Sequence, residues 1–216
     1  MQESISDKEK NLEFNRNRWG KAENWTGKDQ FGYRWGGGAQ QTIGHIADIA
    51  DDLLRPHLGG RRDLAILELS PGGGRFTAEL IRYASTMDLL DMNQACLDVC
   101  RERFKYYPVP MRFFLNDGQS VEMLDRDDYE LIACFDSAVH MHPEIIRGYV
   151  LQFSKRLRPG GILWIDHSGS GPADSGHRTD MTPEKMAGFA AEAGLTVVAQ
   201  PFRNRHDCIS IMSQPL

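Results

Sequence analysis

The sequence has no apolar run of about eighteen residues or more, so it predicts no membrane-spanning helix. Its first ten residues, MQESISDKEK, have no apolar segment of the signal-peptide kind. The cysteines show no paired C-x-x-C spacing, and most fall in segments that read as buried; they are Cys96, Cys100, Cys134 and Cys208. We therefore expect reduced, structural thiols in a cytoplasmic protein.

The chain also has no excess of basic residues. Its formal net charge is -5, whereas nucleic-acid binding demands clustered Lys and Arg, so no nucleic-acid partner is expected. There is no internal repeat and no low-complexity tract. With 216 residues, 41% of them hydrophobic and 25% charged, the chain fits one globular domain. We expect a homodimer, the commonest assembly of soluble proteins.

Residues 1–42 differ from the rest of the chain. They are polar but contain Trp19, Trp25 and Trp35, and no helical or strand period persists among them. We interpret this segment as an irregular, aromatic-rich extension. Either it forms a lid over a site, since lids exclude water with large side chains, or it packs on the domain formed by residues 43–216.

From residue 43 onward, helical and strand patterns alternate. Apolar residues at helical spacing predict a helix over residues 43–58. Short apolar runs predict seven strands: 64–69, 87–90, 111–115, 131–135, 162–165 and a closing hairpin of 195–199 with 208–212. Pro159-Gly160-Gly161 is interpreted as a turn, Thr182 as a helix N-cap before Pro183, and Gly194 as a helix end. This alternation predicts an α/β fold with a doubly wound, mostly parallel seven-stranded sheet and a C-terminal antiparallel hairpin.

Polar or glycine residues follow the first three predicted strands. A glycine turn, SPGGG, comes after the first strand, Asp91 ends the second, and Asp117-Gly118 follow the third. Glycines let the backbone approach a ligand closely, and the two carboxylates can accept from a ribose and from an adenine amino group. Each feature alone is a weak signal, but together they predict an adenosine site at the carboxyl ends of the strands.

These motifs resemble those of the class I S-adenosylmethionine-dependent methyltransferases over roughly residues 43–216. Residues 66–77, ILELSPGGGRFT, resemble the first motif of that family, with Ser70 in place of its usual first glycine; residues 90–93, LDMN, resemble its ribose-binding segment; and residues 157–161, LRPGG, resemble the stretch before its fifth strand. The resemblance implies a Rossmann-like methyltransferase fold that binds S-adenosylmethionine through nine residues: Glu68, Ser70, Gly72, Gly74, Asp91, Met92, Asp117, Gly118 and Phe135.

A narrower resemblance involves residues 135–140, FDSAVH, and residues 164–168, WIDHS. These are similar to segments of bacterial methyltransferases associated with glycan and polysaccharide biosynthesis, which implies a saccharide or other small-molecule acceptor. Methylating a hydroxyl requires removal of its proton, and we expect His140 to act as the general base. Asp136 would orient it, and His167 would complete the catalytic group, whereas His142 is a weaker candidate.

An alternative arrangement places Asp136, Asp166 and His167 around a divalent cation, with Mg²⁺ favoured by the oxygen ligands. Four other functions also remain open at this point. They are N-methylation, methylation of a non-sugar natural product, non-catalytic S-adenosylmethionine binding, and a nicotinamide-dependent oxidoreductase, against which the carboxylate of Glu68 within the motif argues.

Overall fold

The computed structural model describes residues 6–26, 30–32, 43–171 and 178–216. Trp35 and the glycine run 36–38 lie outside these residues. No helix in the described part of the chain is long and apolar enough to cross a membrane.

The N-terminal segment is not irregular as predicted, because it contains helix α1, Asp7–Trp19. Ser6 caps this helix by accepting from the backbone of Glu9, and the Glu9 carboxylate accepts from the Ser6 backbone in return. This capping box was readable as S-x-x-E in the sequence. Leu12 is the one buried apolar side chain of this helix, so the helix has no apolar stripe. The sequence therefore shows no helical period over these residues.

The seven-stranded sheet predicted from the sequence is present, with strand order β3-β2-β1-β4-β5-β7-β6. Its strands are β1 (Leu64–Leu69), β2 (Ala84–Asp91), β3 (Met111–Leu115), β4 (Tyr129–Cys134), β5 (Leu157–Ser168), β6 (Thr196–Ala199) and β7 (Asp207–Ser213). Strands β1 to β5 pair in parallel, and β7 lies antiparallel between β5 and β6. The carboxyl ends of β1 to β5 therefore meet at one edge, with the strand order reversing between β1 and β4, the position where such sheets bind ligands.

Helices cover both faces of this sheet. They are α2 (Ile43–Ile49), α3 (Thr77–Leu80), α4 (Gln94–Phe104), α5 (Pro143–Phe153) and α6 (Pro183–Glu192). Successive side chains of a strand point to opposite faces, so Ile66 joins the core under α2, α3 and α4, whereas Leu67 joins the core under α5 and α6. Leu12 of α1 joins the second core, which anchors the N-terminal segment to the domain.

Several local predictions are confirmed. Thr182 caps α6 with Pro183 at the first helical position, and Gly194 follows the helix with a left-handed φ of 73°. All four cysteines are free and buried. One prediction was wrong, because Pro159-Gly160-Gly161 lies within β5 and is not a turn before it. The strand begins early because Gly160 and Gly161 exchange backbone hydrogen bonds with Gln214, just beyond β7.

Candidate active site

A cavity of about 270 Å³ lies at the carboxyl ends of β1, β2 and β4. The turn after β1, the end of β2, the segment after β4 and the N-terminal segment all contribute to its walls. Of the predicted site residues it is lined by Glu68, Ser70, Gly72, Asp91, Met92, Gly118, Phe135, Asp136 and His140. The fold thus brings together most of the residues that the sequence predicted, from four separate strand ends.

The turn after β1 has an unusual backbone. Ser70, Gly72 and Gly74 all have positive φ angles, of 56°, 55° and 80°. Such angles are ordinary for glycine but strained for serine, so Ser70 has a backbone conformation that favours glycine. Gly74 does not line the cavity; it packs against Phe104 instead, and a Cβ atom there would come within 2.6 Å of that ring.

Two buried carboxyl groups lie beneath this turn. Glu68 accepts a hydrogen bond from the Thr77 hydroxyl at 2.6 Å, and burial raises its pKa to about 8. Asp91, at the end of β2, accepts from the backbone N–H of Asn93 at 2.8 Å, and burial raises its pKa to about 7. Both groups are close to changing their charge near neutral pH, and ligand groups that donate hydrogen bonds favour the ionised form of Asp91.

The segment after β3 places its residues differently from the prediction. The Asp117 carboxylate is exposed and accepts from the backbone N–H groups of Gln119 and Ser120, at 2.8 and 2.7 Å, so it caps a turn and does not line the cavity. Gly118 does line the cavity, next to Met92. The buried Asn116 supports this segment by accepting from the Gly118 N–H at 3.1 Å.

Asp136 follows β4 with a left-handed φ of 51°. Its carboxylate accepts from Arg75 and, at 3.0 Å, from Arg203. Although burial raises the pKa of Asp136, the positive charges of Arg75 and Arg203 outweigh it and hold the pKa below its ordinary value, with a further contribution from His140. Neither arginine was predicted as a site residue: Arg75 lies within the glycine motif, and Arg203 lies in the β6–β7 connection, which no motif marks.

The predicted cation site does not form. Asp166 is buried and shares Arg203 with Asp136, so a guanidinium already lies between the two carboxylates. His167 lies inside the sheet and does not line the cavity; Ser210 and the carbonyl of Ser168 lie 2.7 Å from its ring nitrogens, and burial lowers its pKa to about 4. Among the described residues there is no group of three or more His, Cys, Asp or Glu side chains arranged to hold a metal ion.

His140 ends a short 3₁₀ helix after β4, Ala138–His140, and lines the cavity. Its ring stacks on the indole of Trp19 with ring centroids 5.2 Å apart. His142 has a structural position instead, because its Nδ1 accepts from the backbone N–H of Glu144 and caps α5. Of the three histidines considered in the sequence, only His140 faces the cavity.

The N-terminal segment forms one wall of the cavity. Leu12, Asn15 and Trp19 of α1 line it, and Trp25 lies over the glycine turn with its indole N–H donating to the carbonyl of Trp19 at 2.9 Å. This placement puts Trp19 and Trp25 of the extension at the site.

Comparison with known proteins indicates a methyltransferase domain in part of the chain. Residues 66–161 match the protein-family model described as a methyltransferase domain. No curated protein sequence matches the chain. Residues 66–161 therefore resemble a methyltransferase domain, and the sheet around them has the seven-stranded, Rossmann-like order predicted from the sequence.

Solved structures resemble the chain in fold at low sequence identity. A 1,6-didemethyltoxoflavin-N1-methyltransferase from Burkholderia thailandensis, with S-adenosylhomocysteine bound, has a TM-score of 0.70 and 15% identity over 100% of this chain and 94% of that one. A magnesium protoporphyrin IX methyltransferase from Synechocystis, with S-adenosylmethionine bound, has a TM-score of 0.68 and 13% identity over 99% and 100%. An amino pentose methyltransferase from Micromonospora echinaspora has a TM-score of 0.62 and 17% identity over 80% and 91%.

Proposed function

We propose that this protein transfers the methyl group of S-adenosylmethionine to a hydroxyl group of a small acceptor, a sugar or oligosaccharide, with His140 as general base. The observation that carries the proposal is the position of His140. It is the one histidine of the described chain that lines the cavity, and it shares that cavity with the glycine turn and Asp91.

Several features of the cavity support the binding of an adenosine ligand. Gly72 and Gly73 line the cavity, and a Cβ atom on either would come within 3 Å of Trp25 or Phe31, so these two positions take no side chain. Asp91 presents a carboxylate to accept from the two ribose hydroxyls, and Met92 with Gly118 provides an apolar surface for the adenine ring. S-adenosylmethionine, when bound, supplies an activated methyl group on a sulfonium.

The protein then has two tasks, which are to hold the acceptor oxygen in line with the methyl group and to remove its proton. In the proposal His140 takes the proton, and Asp136 stabilises the imidazolium that results, since its pKa is held low and it stays ionised. Trp19, stacked on His140, offers an aromatic face against which a sugar ring packs.

N-methylation of a planar, non-sugar acceptor is the second candidate. The aromatic wall of Trp19 and Trp25 favours it, because a flat heterocycle stacks well on an indole. The similar Burkholderia thailandensis structure is named as an N1-methyltransferase, and the similar Micromonospora echinaspora structure as an amino pentose methyltransferase. An amine acceptor needs less help from a general base, so the two candidates differ in their dependence on His140.

Calorimetric titration with S-adenosylmethionine and S-adenosylhomocysteine, with NADH as the control ligand, tests the cofactor. We expect micromolar binding of both sulfur nucleosides and none of NADH. Labelled methyl transfer onto panels of saccharides and of heterocyclic amines then identifies the acceptor, and His140→Ala should lower transfer to a hydroxyl by about 10²- to 10⁴-fold. A folded protein that binds neither nucleoside contradicts the proposal, and full activity of His140→Ala on a hydroxyl acceptor removes His140 as the base.

A further inference from the structure

One face of α1 consists of residues at every fourth position, namely Asn11, Asn15 and Trp19. Asn15 is buried, which is uncommon for an asparagine and indicates that its amide has fixed partners. This face of α1 lies against the segment that follows β4.

Both asparagines hold the backbone of His140. The amide nitrogens of Asn11 and Asn15 donate to the carbonyl oxygen of His140, at 2.9 and 3.0 Å. The Asn11 carbonyl oxygen accepts from the backbone N–H of His142 at 2.9 Å. The two donors lie 129 and 125 positions from His140 in the sequence. These are therefore long-range contacts, and they belong to no helix or strand hydrogen-bond pattern.

The same segment is held from its other side by Thr179. The Thr179 backbone N–H donates to the carbonyl of Val139 at 3.1 Å, and its hydroxyl donates to the carbonyl of Met141 at 2.7 Å. Three consecutive carbonyls, of residues 139, 140 and 141, are therefore fixed from two sides. This fixes the direction in which the His140 side chain leaves the backbone.

Trp19 acts on the ring of the same histidine. Its indole stacks on the imidazole at an interplanar angle of 30°, and its Nε1 donates to the side-chain oxygen of Asn15 at 3.2 Å. Asn15 thus contacts both the His140 backbone and Trp19, whose indole stacks on the His140 ring.

We propose that α1 is the positioning element for His140, with Asn11 and Asn15 setting its backbone and Trp19 setting its ring. The catalytic consequence rests on the proposed function, whereas the positioning itself does not. Because the same helix lines the cavity, the N-terminal segment completes the site and does more than cover it.

Histidine Cε1–H resonances in an NMR spectrum test the positioning without an acceptor. The samples contain the protein without ligand, and His140→Ala assigns the signal. Stacking on Trp19 should displace the His140 resonance upfield, and Trp19→Leu should remove that displacement. In the double variant Asn11→Asp/Asn15→Asp, which keeps both acceptor oxygens and removes both donors, we expect the resonance to move toward the Trp19→Leu position.

Asn17→Asp is the matched control, because it makes the same change on the exposed face of α1 and should leave the resonance unmoved. Asn15→Leu removes the donor without adding charge, and it carries the test if the double variant does not fold. A His140 resonance that stays at its wild-type position in either folded variant overturns the proposal.

Methyl transfer to an accepted hydroxyl gives the second measurement. We expect Asn15→Asp to lower kcat by roughly 10- to 100-fold in the wild-type background and to have little further effect in the His140→Ala background, because residues that act through one another are not additive. An equal loss in both backgrounds overturns the proposal. An active His140→Ala enzyme would instead contradict the proposed function, and the NMR result would still decide the positioning.

Discussion

The indole of Trp25 lies over Gly72, so close that a Cβ atom on this glycine would be 2.9 Å from the ring carbon Cζ3. Gly72 also has a φ of 55°, in the left-handed region. The contact joins the N-terminal segment to the turn after β1, and both line the cavity. The turn therefore has no room for a side chain at position 72.

Gly72→Ala should weaken S-adenosylmethionine binding at least tenfold and lower the free energy of unfolding by about 1–3 kcal/mol, since alanine is strained at this φ and displaces Trp25. Calorimetry and urea denaturation measure the two effects. Gly188→Ala is the control, because nothing lies within 4 Å of its added Cβ and a helix favours alanine by up to about 1 kcal/mol. Wild-type affinity in Gly72→Ala would refute the predicted role of the turn.

Asp91 should make cofactor binding depend on pH. Its pKa is raised to about 7, so the carboxyl group of the free protein is largely protonated below that pH and cannot accept from both ribose hydroxyls. We expect the affinity for S-adenosylhomocysteine to fall about tenfold as the pH is lowered from 8 to 6. Asp91→Asn should bind more weakly at pH 8 and lose this pH dependence. If Asp91→Asn keeps the wild-type pH dependence, the dependence comes from another titratable group.

Glu68 should make the ligand-free protein more stable as the pH falls from 8 to 6.5. Its folded-state pKa of about 8 lies above the ordinary value of 4.5, so the folded protein binds a proton that the unfolded chain releases, and a rise in pH favours unfolding. One such group contributes a slope of up to about 1.4 kcal/mol per pH unit. Below pH 6.5, His167 acts in the opposite direction, because its pKa is lowered to about 4 and the unfolded chain takes up the proton.

Urea denaturation across this pH range measures that slope. Glu68→Gln keeps an acceptor for the Thr77 hydroxyl and cannot ionise, so its stability should depend less on pH. The exposed Glu122→Gln should follow the wild type. An unchanged slope in Glu68→Gln would show that Glu68 ionises normally in the folded protein.

Arg203 should be essential to stability as well as to the site. Its guanidinium is 3% exposed and lies 3.0 Å from carboxylate oxygens of Asp136, Asp166 and Asp207. Arg203→Met would leave these buried carboxylates without their shared cation, so we expect a loss of about 3–5 kcal/mol in the free energy of unfolding. The exposed Arg205→Met, in the same connection, should cost under about 0.5 kcal/mol. Similar free energies of unfolding for the two variants would contradict the stabilising role of Arg203.

The sequence by itself determined the sheet and the grouping of most of the predicted site residues at one cavity. Strand and helix periods are local properties, and parallel strands bring their carboxyl ends to one edge, so the turn at Gly72, Asp91 and His140 were placed together in advance. Only the tertiary structure decided the partners of these residues. Arg203 reaches Asp136 across 67 positions, Asn15 reaches His140 across 125, and His167 turns into the interior of β5. No local pattern encodes such contacts, because they depend on how distant segments pack.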